Sequence, residues 1–208
     1  MHVKPQAQGA PNQSLKPTKG STVLLRSARM CFLASYERRA ALCGLVRPLY
    51  GFHSPTTVPA FEPRDPDFET RRRDSFAQQQ MMRTLGANLK VVCPGQVEIG
   101  LTFRDDLTQQ HGYLHAAAVT AIADSACGYA ALTLMEPGHE VLTVEFKVNL
   151  LAPAAGERFV AVGRVLRPGR RLTVCSAEVH AERGGASKLI AGMQATMIAS
   201  APPGLKAV

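Results

Sequence analysis

The period of the apolar positions changes along the chain, and each change predicts a new element. Over "FETRRRDSFAQQQMMRTLG", Phe68, Phe76, Met81, Met82 and Leu85 stand among polar residues and the pattern stops at Gly86. That predicts a helix ending near residue 85 with glycine just beyond it. "NLKVVCPGQVEIGLTF" (88–103) reads as two strands broken at Pro94-Gly95, with Val97, Ile99, Leu101 and Phe103 alternating against Gln96, Glu98, Gly100 and Thr102. Residues 113–134 are alanine-rich, free of proline and apolar nearly all round, which predicts a helix enclosed by other structure. Glu136-Pro137-Gly138 ends it. Four period-2 segments follow, at 140–151, 157–167, 171–182 and 188–199. In the first, Leu142, Val144, Phe146, Val148 and Leu150 are expected on one face, opposite Thr143, Glu145, Lys147 and Asn149. The order predicts an α+β fold: a twisted antiparallel sheet wrapped round one long helix, since only a concave sheet face covers so apolar a helix.

Composition changes this picture mainly at the ends. The net charge is +8, but residues 1–75 carry 12 Lys+Arg against 6 Asp+Glu, and the remainder 12 against 10. Eight of the 14 prolines fall before residue 67, so residues 1–67 are read as a basic, proline-rich, disordered leader. Residues 68–200 form the domain and 201–208 a flexible tail. Within the leader, residues 21–46 mix apolar and basic positions, which suits a surface-binding arm, a targeting segment or translation from a start codon set too far upstream. The run Arg71-Arg72-Arg73 reads as a solvated helix face. No stretch reaches the 18 apolar residues of a membrane span. The leader lacks the paired short helices of a helix-turn-helix, so a nucleic-acid partner is not expected. Five cysteines without C-x-x-C spacing fit reduced, core-packed thiols and a cytoplasmic location. Neither a metal nor a cofactor is called for.

Candidate chemistry concentrates in "TQQHGYLHAAAVTAIADSACGYAA" (108–131). An acid, Asp124, interrupts the alanine-rich helix. A helix start carries unpaired N–H groups and partial positive charge, suited to a carbonyl oxygen as it becomes negative. A carboxylate can activate water or attack the carbonyl itself. His115 and Asp124 are nine positions apart, roughly 13.5 Å at ~1.5 Å per residue, too far to act on one atom within a chain. If two chains pair with these helices antiparallel, Asp124 of one faces the amides near Ala116 of the other, giving two identical sites. Such parts suit transfer of an acyl group from a thioester to water. Gln109 can donate to the carbonyl or orient the water. Plainer readings stand beside these: Asp124 as the N-cap of a second helix beginning at Ser125, His111 as a loop residue, His115 as a structural histidine, Cys127 as core, and Lys147 and Asn149 as solvated strand residues.

With "LTVEFKVNLLAPAAGE" and "GRVLRPGRRLTVCSAEV", the helix segment resembles the hotdog-fold acyl-CoA thioesterases of the phenylacetate-pathway (PaaI-type) group over about residues 76–200. The resemblance implies a hotdog fold, self-association as a dimer or tetramer, and a site shared between subunits. Position by position, the family's acid falls on Asp124, its oxyanion-type amide on Ala116, its helix-start histidine on His115 and its upstream amide side chain on Gln109. Thr143 matches a hydroxyl residue near the acid. His111, Gly112, Ala117 and Asn149 are the expected substrate contacts. Two departures are plain: His115-Ala116-Ala117 replaces the usual H-G-G, and the leader lies outside the family pattern. The expected activity is hydrolysis of acyl-CoA or related thioesters. The alternatives are an acyl-CoA-binding regulatory protein without catalysis and a hotdog hydratase or dehydratase. The acyl group, and the choice between coenzyme A and an acyl carrier protein, stay open.

Overall fold

In the computed structural model, which describes residues 61–200, the elements run α1 (Phe68–Gln78), α2 (Gln80–Leu85), β1 (Asn88–Cys93), β2 (Gln96–Thr102), a 3-10 turn (Asp105–Leu107), α3 (Ala116–Leu132), β3 (Glu140–Leu150), β4 (Arg158–Arg167), β5 (Leu172–Arg183) and β6 (Ala186–Ser200). The strands form one antiparallel sheet in the order β1-β2-β4-β5-β6-β3. Helix α3 lies against its inner face, touching β2 to β6. This is the α+β arrangement that the alternation of periods predicts, a sheet wrapped round one long helix, and the hotdog architecture that the resemblance implies. Among the described residues no helix is long and apolar enough to cross a membrane.

The contact that sets this geometry is between backbones. Ala123, Ala126, Cys127 and Ala130 on α3 are fully buried. Beneath them a methyl group added at Gly163 of β4 would overlap the Ala126 carbonyl and stand 2.7 Å from the Cys127 amide nitrogen. Small residues on both sides let the helix settle onto the sheet, while Phe159, Ile99, Leu101 and Met197 fill the space around it. The helix end is tied down as well. The buried Thr133 hydroxyl donates to Ala130 O (2.6 Å) and accepts from the Gly95 amide (2.7 Å), joining α3 to the β1–β2 turn. Gly95 takes φ +76° there, and a side chain would run into the Phe61 ring.

Several expectations are corrected. The helix at 68–85 is two helices, because Gln79 is extended (ψ 101°) and Ser125 Oγ donates to its carboxamide oxygen at 3.5 Å. Gly86 caps the second with φ +72°, as its position predicts. The triple arginine is not a uniformly solvated face. Arg72 is 4 % exposed and lies 3.6 Å from Asp65, which is 1 % exposed and also meets Arg71 at 3.0 Å. Packing of the domain therefore reaches back past residue 68, through Asp65 to Phe61 on the core. Among the described residues, Cys127 and Cys175 are free and buried, as core-packed thiols are expected to be. The leader 1–60 and tail 201–208 lie outside the described residues, and with them most of the expected leader.

The face assignment along β3 is corrected too. The register against β6 slips between Thr143 and Glu145. Thr143 pairs with Met197, Phe146 with Ala195, Val148 with Met193 and Leu150 with Ala191, and all four β6 partners are buried core residues. Thr143 thus shares the inner face with Phe146, Val148 and Leu150, while Leu142, Glu145, Lys147 and Asn149 go with the outer row. One extra residue in a bulge reverses the alternation, which strict period-2 reading misses. β3 is also an edge of the sheet, and Leu142, Val144, Phe146 and Leu150 are 47–61 % exposed along it.

Two stability outcomes follow from these contacts. Gly163→Ala forces a methyl group into helix backbone and should cost about 3 kcal/mol or prevent folding, whereas Gly192→Ala, with open space around it, should melt within about 1 kcal/mol of the parent; thermal denaturation of both checks this. Under reducing conditions, a chain shortened to begin at Phe61 should keep the parent's cooperative transition. One shortened to Phe68 removes Asp65 and leaves the buried Arg72 charge unpaired, a loss of about 3 kcal/mol or more. Equal melting temperatures for the two shortened chains would refute the role given to Asp65.

Candidate active site

The loop before α3 is closed by its own backbone. His115 N–H donates to Leu107 O (2.8 Å), Gln109 N–H to Tyr113 O (2.9 Å), Gly112 N–H to Gln109 O (3.0 Å) and Leu114 N–H to Ala154 O (3.1 Å). Gly112 supplies the left-handed residue (φ +78°) this turn needs. His115 then sits extended (φ −64°, ψ 139°) as the helix N-cap, and its Nδ1 accepts from the Ala117 amide at 2.9 Å. The ring proton is therefore on Nε2. His115 O takes the amides of Ala118 (3.0 Å) and Val119 (3.3 Å). Among the described residues this leaves the Ala116 N–H as the first-turn donor without an acceptor.

Ala116 borders a cavity of about 530 Å³, lined also by Gln109 and otherwise by mostly apolar side chains, including Val119, Leu150, Leu151 and Ile190. Gln109 turns its carboxamide oxygen onto the His111 N–H, which leaves the carboxamide NH2 free of protein acceptors among the described residues. Sequence reading did not find the apolar lining. The signal for it, "NLLAPA" directly after an apolar strand, is legible only once Leu114 and Ala154 are known to be joined.

The second cluster lies further along α3. The helix is continuous from Ala116 to Leu132, so Asp124 caps no second helix and that reading falls. Its carboxylate is half-buried, and Thr143 Oγ1 donates to Oδ1 at 2.8 Å, with Met197 Sδ 3.5 Å from the same hydroxyl. Burial pushes the Asp124 carboxyl above the usual range, and the Thr143 hydrogen bond, which favours the charged form, opposes it only partly. Burial also raises the Cys127 and Cys175 thiols, so neither offers a thiolate.

Asp124 and Ala116 are eight positions apart on one straight helix, about 12 Å at ~1.5 Å rise per residue, and Asp124 does not line the cavity. One chain thus carries two separate polar clusters along α3. Gln109, His115 and Ala116 come together at the helix start; Asp124 and Thr143 come together at its middle. Of the expected substrate contacts, His111 and Gly112 lie exposed on the loop beside the first cluster, and the Ala117 amide is engaged by His115. Asn149 belongs to the outer row of β3, paired with Gly192, away from both.

Residues 111–188 match the thioesterase superfamily model. A thioesterase family protein from Silicibacter pomeroyi is 52 % identical, its crystal structure superposing with a TM-score of 0.63 over 64 % of this chain and 97 % of that one. A conserved protein from Pseudomonas aeruginosa is 28 % identical, with a TM-score of 0.54 over 59 % of this chain and 94 % of its own. The E. coli PaaI protein of the phenylacetic acid degradation operon, at 16 % identity and a TM-score of 0.58 over 65 % and 95 % of the two chains, shares the fold. The chain belongs to the thioesterase superfamily.

Proposed function

We propose that the protein hydrolyses acyl-CoA thioesters at sites shared between two copies of the chain, as enzymes of the PaaI-type group are organised. The observation that carries this reading is the division of labour along α3: a helix-start amide without an acceptor beside an apolar cavity, and eight residues on, a half-buried carboxylate. Pairing the open β3 edges of two chains would extend the sheet across the two-fold axis and cover the exposed Val144, Phe146 and Leu150. It would also bring the α3 helices side by side and antiparallel, placing Asp124 of one copy opposite Ala116 of the other. A tetramer is a further pairing of such dimers.

In the completed site the acyl group enters the apolar cavity and the thioester oxygen accepts from the Ala116 N–H, aided by the Gln109 carboxamide NH2. Asp124 of the other copy takes a proton from a water whose oxygen adds to the carbonyl carbon. The negative charge that develops on the carbonyl oxygen is held by the Ala116 amide and the helix dipole. The C–S bond then breaks, the carbonyl re-forms, and the departing sulfur collects the proton from Asp124, leaving a free acid and a thiol. Partial desolvation raises the basicity of the carboxylate toward that water, and Thr143 holds Oδ1 so that Oδ2 faces the reaction. A hydratase would need a histidine free to exchange a proton beside the acid; here the His115 Nδ1 is engaged in capping the helix.

Asp124→Asn should lower kcat by at least ~10²-fold, as expected for loss of a general base. Ala116→Pro removes the amide donor at the first helical position, where proline is tolerated and the extended His115 suits it; it should lower kcat by about 10²-fold. Mixed after joint refolding, the two inactive variants should regain activity, because a heterodimer rebuilds one intact site from Asp124 of one copy and Ala116 of the other. Thiol release from acyl-CoA measures all three, and no recovery on mixing would defeat the shared site.

The titration of Asp124 gives a second expectation. The acid limb of kcat/KM should have its midpoint above the ordinary carboxylate value, and Thr143→Val, by removing a bond to the charged form, should move it further up. With its folded-state value raised, Asp124 favours the fold increasingly as pH falls through that value, and weighs against it when ionised at higher pH. The melting temperature of Asp124→Asn at neutral pH should therefore equal or exceed the parent's. A midpoint at or below the ordinary value, or a less stable Asn variant, contradicts this account.

A further inference from the structure

The open edge of the sheet carries charge as well as apolar side chains. β3 runs Glu145-Phe146-Lys147-Val148, and its register against β6 puts Glu145 and Lys147 in the outer row, beside the uncharged Thr196 and Gln194. Both are exposed. Neither meets an opposite charge among the described residues, whereas Arg73, Arg158 and Arg164 elsewhere on the domain each face a glutamate. Glu145 is held in place all the same. The Thr196 hydroxyl donates to its Oε1 at 3.0 Å, which leaves Oε2 without a donor among the described residues. An anchored carboxylate and an unpaired ammonium on the bare edge of a sheet are complementary to a second copy of the same edge.

Two-fold symmetry restricts how two such edges can meet. In an antiparallel pair the residues directly opposite one another point to the same face, so an axis falling between two residues would set an outward side chain against an inward one. Near the middle of the strand the axis therefore passes through Glu145, Phe146 or Lys147. Through Glu145 it sets Glu145 against Glu145, and through Lys147 it sets Lys147 against Lys147. Only through Phe146 does each Glu145 face Lys147 of the other copy, and the symmetry makes that contact twice. Unlike charges directly opposed stabilise a strand pair, and like charges destabilise it. The same register brings Phe146 against Phe146 and covers a ring that is 47 % exposed in the single chain.

This register also agrees with the placement of the polar clusters on α3. Thr143 stands level with Asp124 through their 2.8 Å hydrogen bond, and Leu150 stands level with Ala116, with which it lines the cavity. With the axis at Phe146, Thr143 of the other copy comes opposite Asn149, next to Leu150. Asp124 of that copy arrives at the level of the cavity.

We propose that Glu145 and Lys147 fix the register in which two copies of this chain pair: two Glu145–Lys147 contacts across the axis exclude the neighbouring registers and so align Asp124 of one copy with the helix start of the other. This rests on the shared-site reading above and adds to it the device that aligns the copies. Sedimentation of the full chain over a range of concentrations measures assembly without reference to activity. Glu145→Lys and Lys147→Glu should each raise the dimer dissociation constant ~30-fold or more, because like charges then face across the axis twice, and the double exchange should return it to within about three-fold of the parent. Salt should weaken the parent dimer. Single cysteines read the register directly. On mild oxidation Phe146→Cys should join two copies faster than the parent does, while Glu145→Cys and Lys147→Cys, which face themselves only in the excluded registers, should not. A monomeric parent, single reversals that leave the dissociation constant unchanged, a double exchange no better than either single, or faster self-joining at residue 145 or 147 overturns the proposal. If the copies pair in this register and cleave no thioester, the hydrolase reading is what fails. If they pair in another and Asp124→Asn and Ala116→Pro still complement each other, the shared site stands and this proposal falls.

Discussion

The close approach of α3 to β4 is the constraint on which the rest depends. Because Ala126 rests on Gly163 backbone to backbone, the helix is buried along nearly its whole length and can vary neither in height nor in direction over the sheet. Burial of so many small apolar side chains contributes little per residue, but at ~25 cal/mol per Å² it accumulates along five turns. It also fixes where the two ends of one helix stand. The unpaired amide at the start and the carboxylate at the middle are thereby held at a constant separation.

A sheet that wraps one helix ends in two edges. β1 is sheltered by α1, with the Arg73 guanidinium on the Leu89 carbonyl at 3.3 Å, while β3 is left bare and apolar. The bulge after Thr143 does two things at this edge. It brings the hydroxyl round to Asp124, and it turns Phe146, Val148 and Leu150 to the inner side, where Leu150 helps line the cavity beside Ala116. One extra residue thus connects the Asp124 carboxylate, the apolar cavity and the open edge of the sheet.

The replacement of the usual glycines at the helix start by Ala116 and Ala117 also has a clear outcome. The amides remain, and His115 engages the second of them. The donor that survives is the one at the cavity mouth. Capping thus takes one amide of the turn and leaves its neighbour open.

Most of the fold was legible in the sequence, since period, proline placement and turn residues are local properties: the hairpin at Pro94-Gly95, the enclosed helix, the four late strands and the stop at Gly86 all lie where pattern puts them. The acid within an alanine-rich helix was equally visible, because a carboxylate in an apolar run is conspicuous wherever the chain folds. Other features follow from contacts between residues distant in sequence, which no local period records. The slip in β3 is set by pairing with β6, 54 positions from Thr143 to Met197. The burial of Arg72 depends on Asp65 packing beside it, and the break at Gln79 accompanies its contact with Ser125, 46 residues away. Which amide of the first turn stays free was decided by a histidine rotamer. Sequence determined which elements exist and which residue carries the negative charge; tertiary structure decided what each polar group meets, because hydrogen bonding and desolvation are set by neighbours in space.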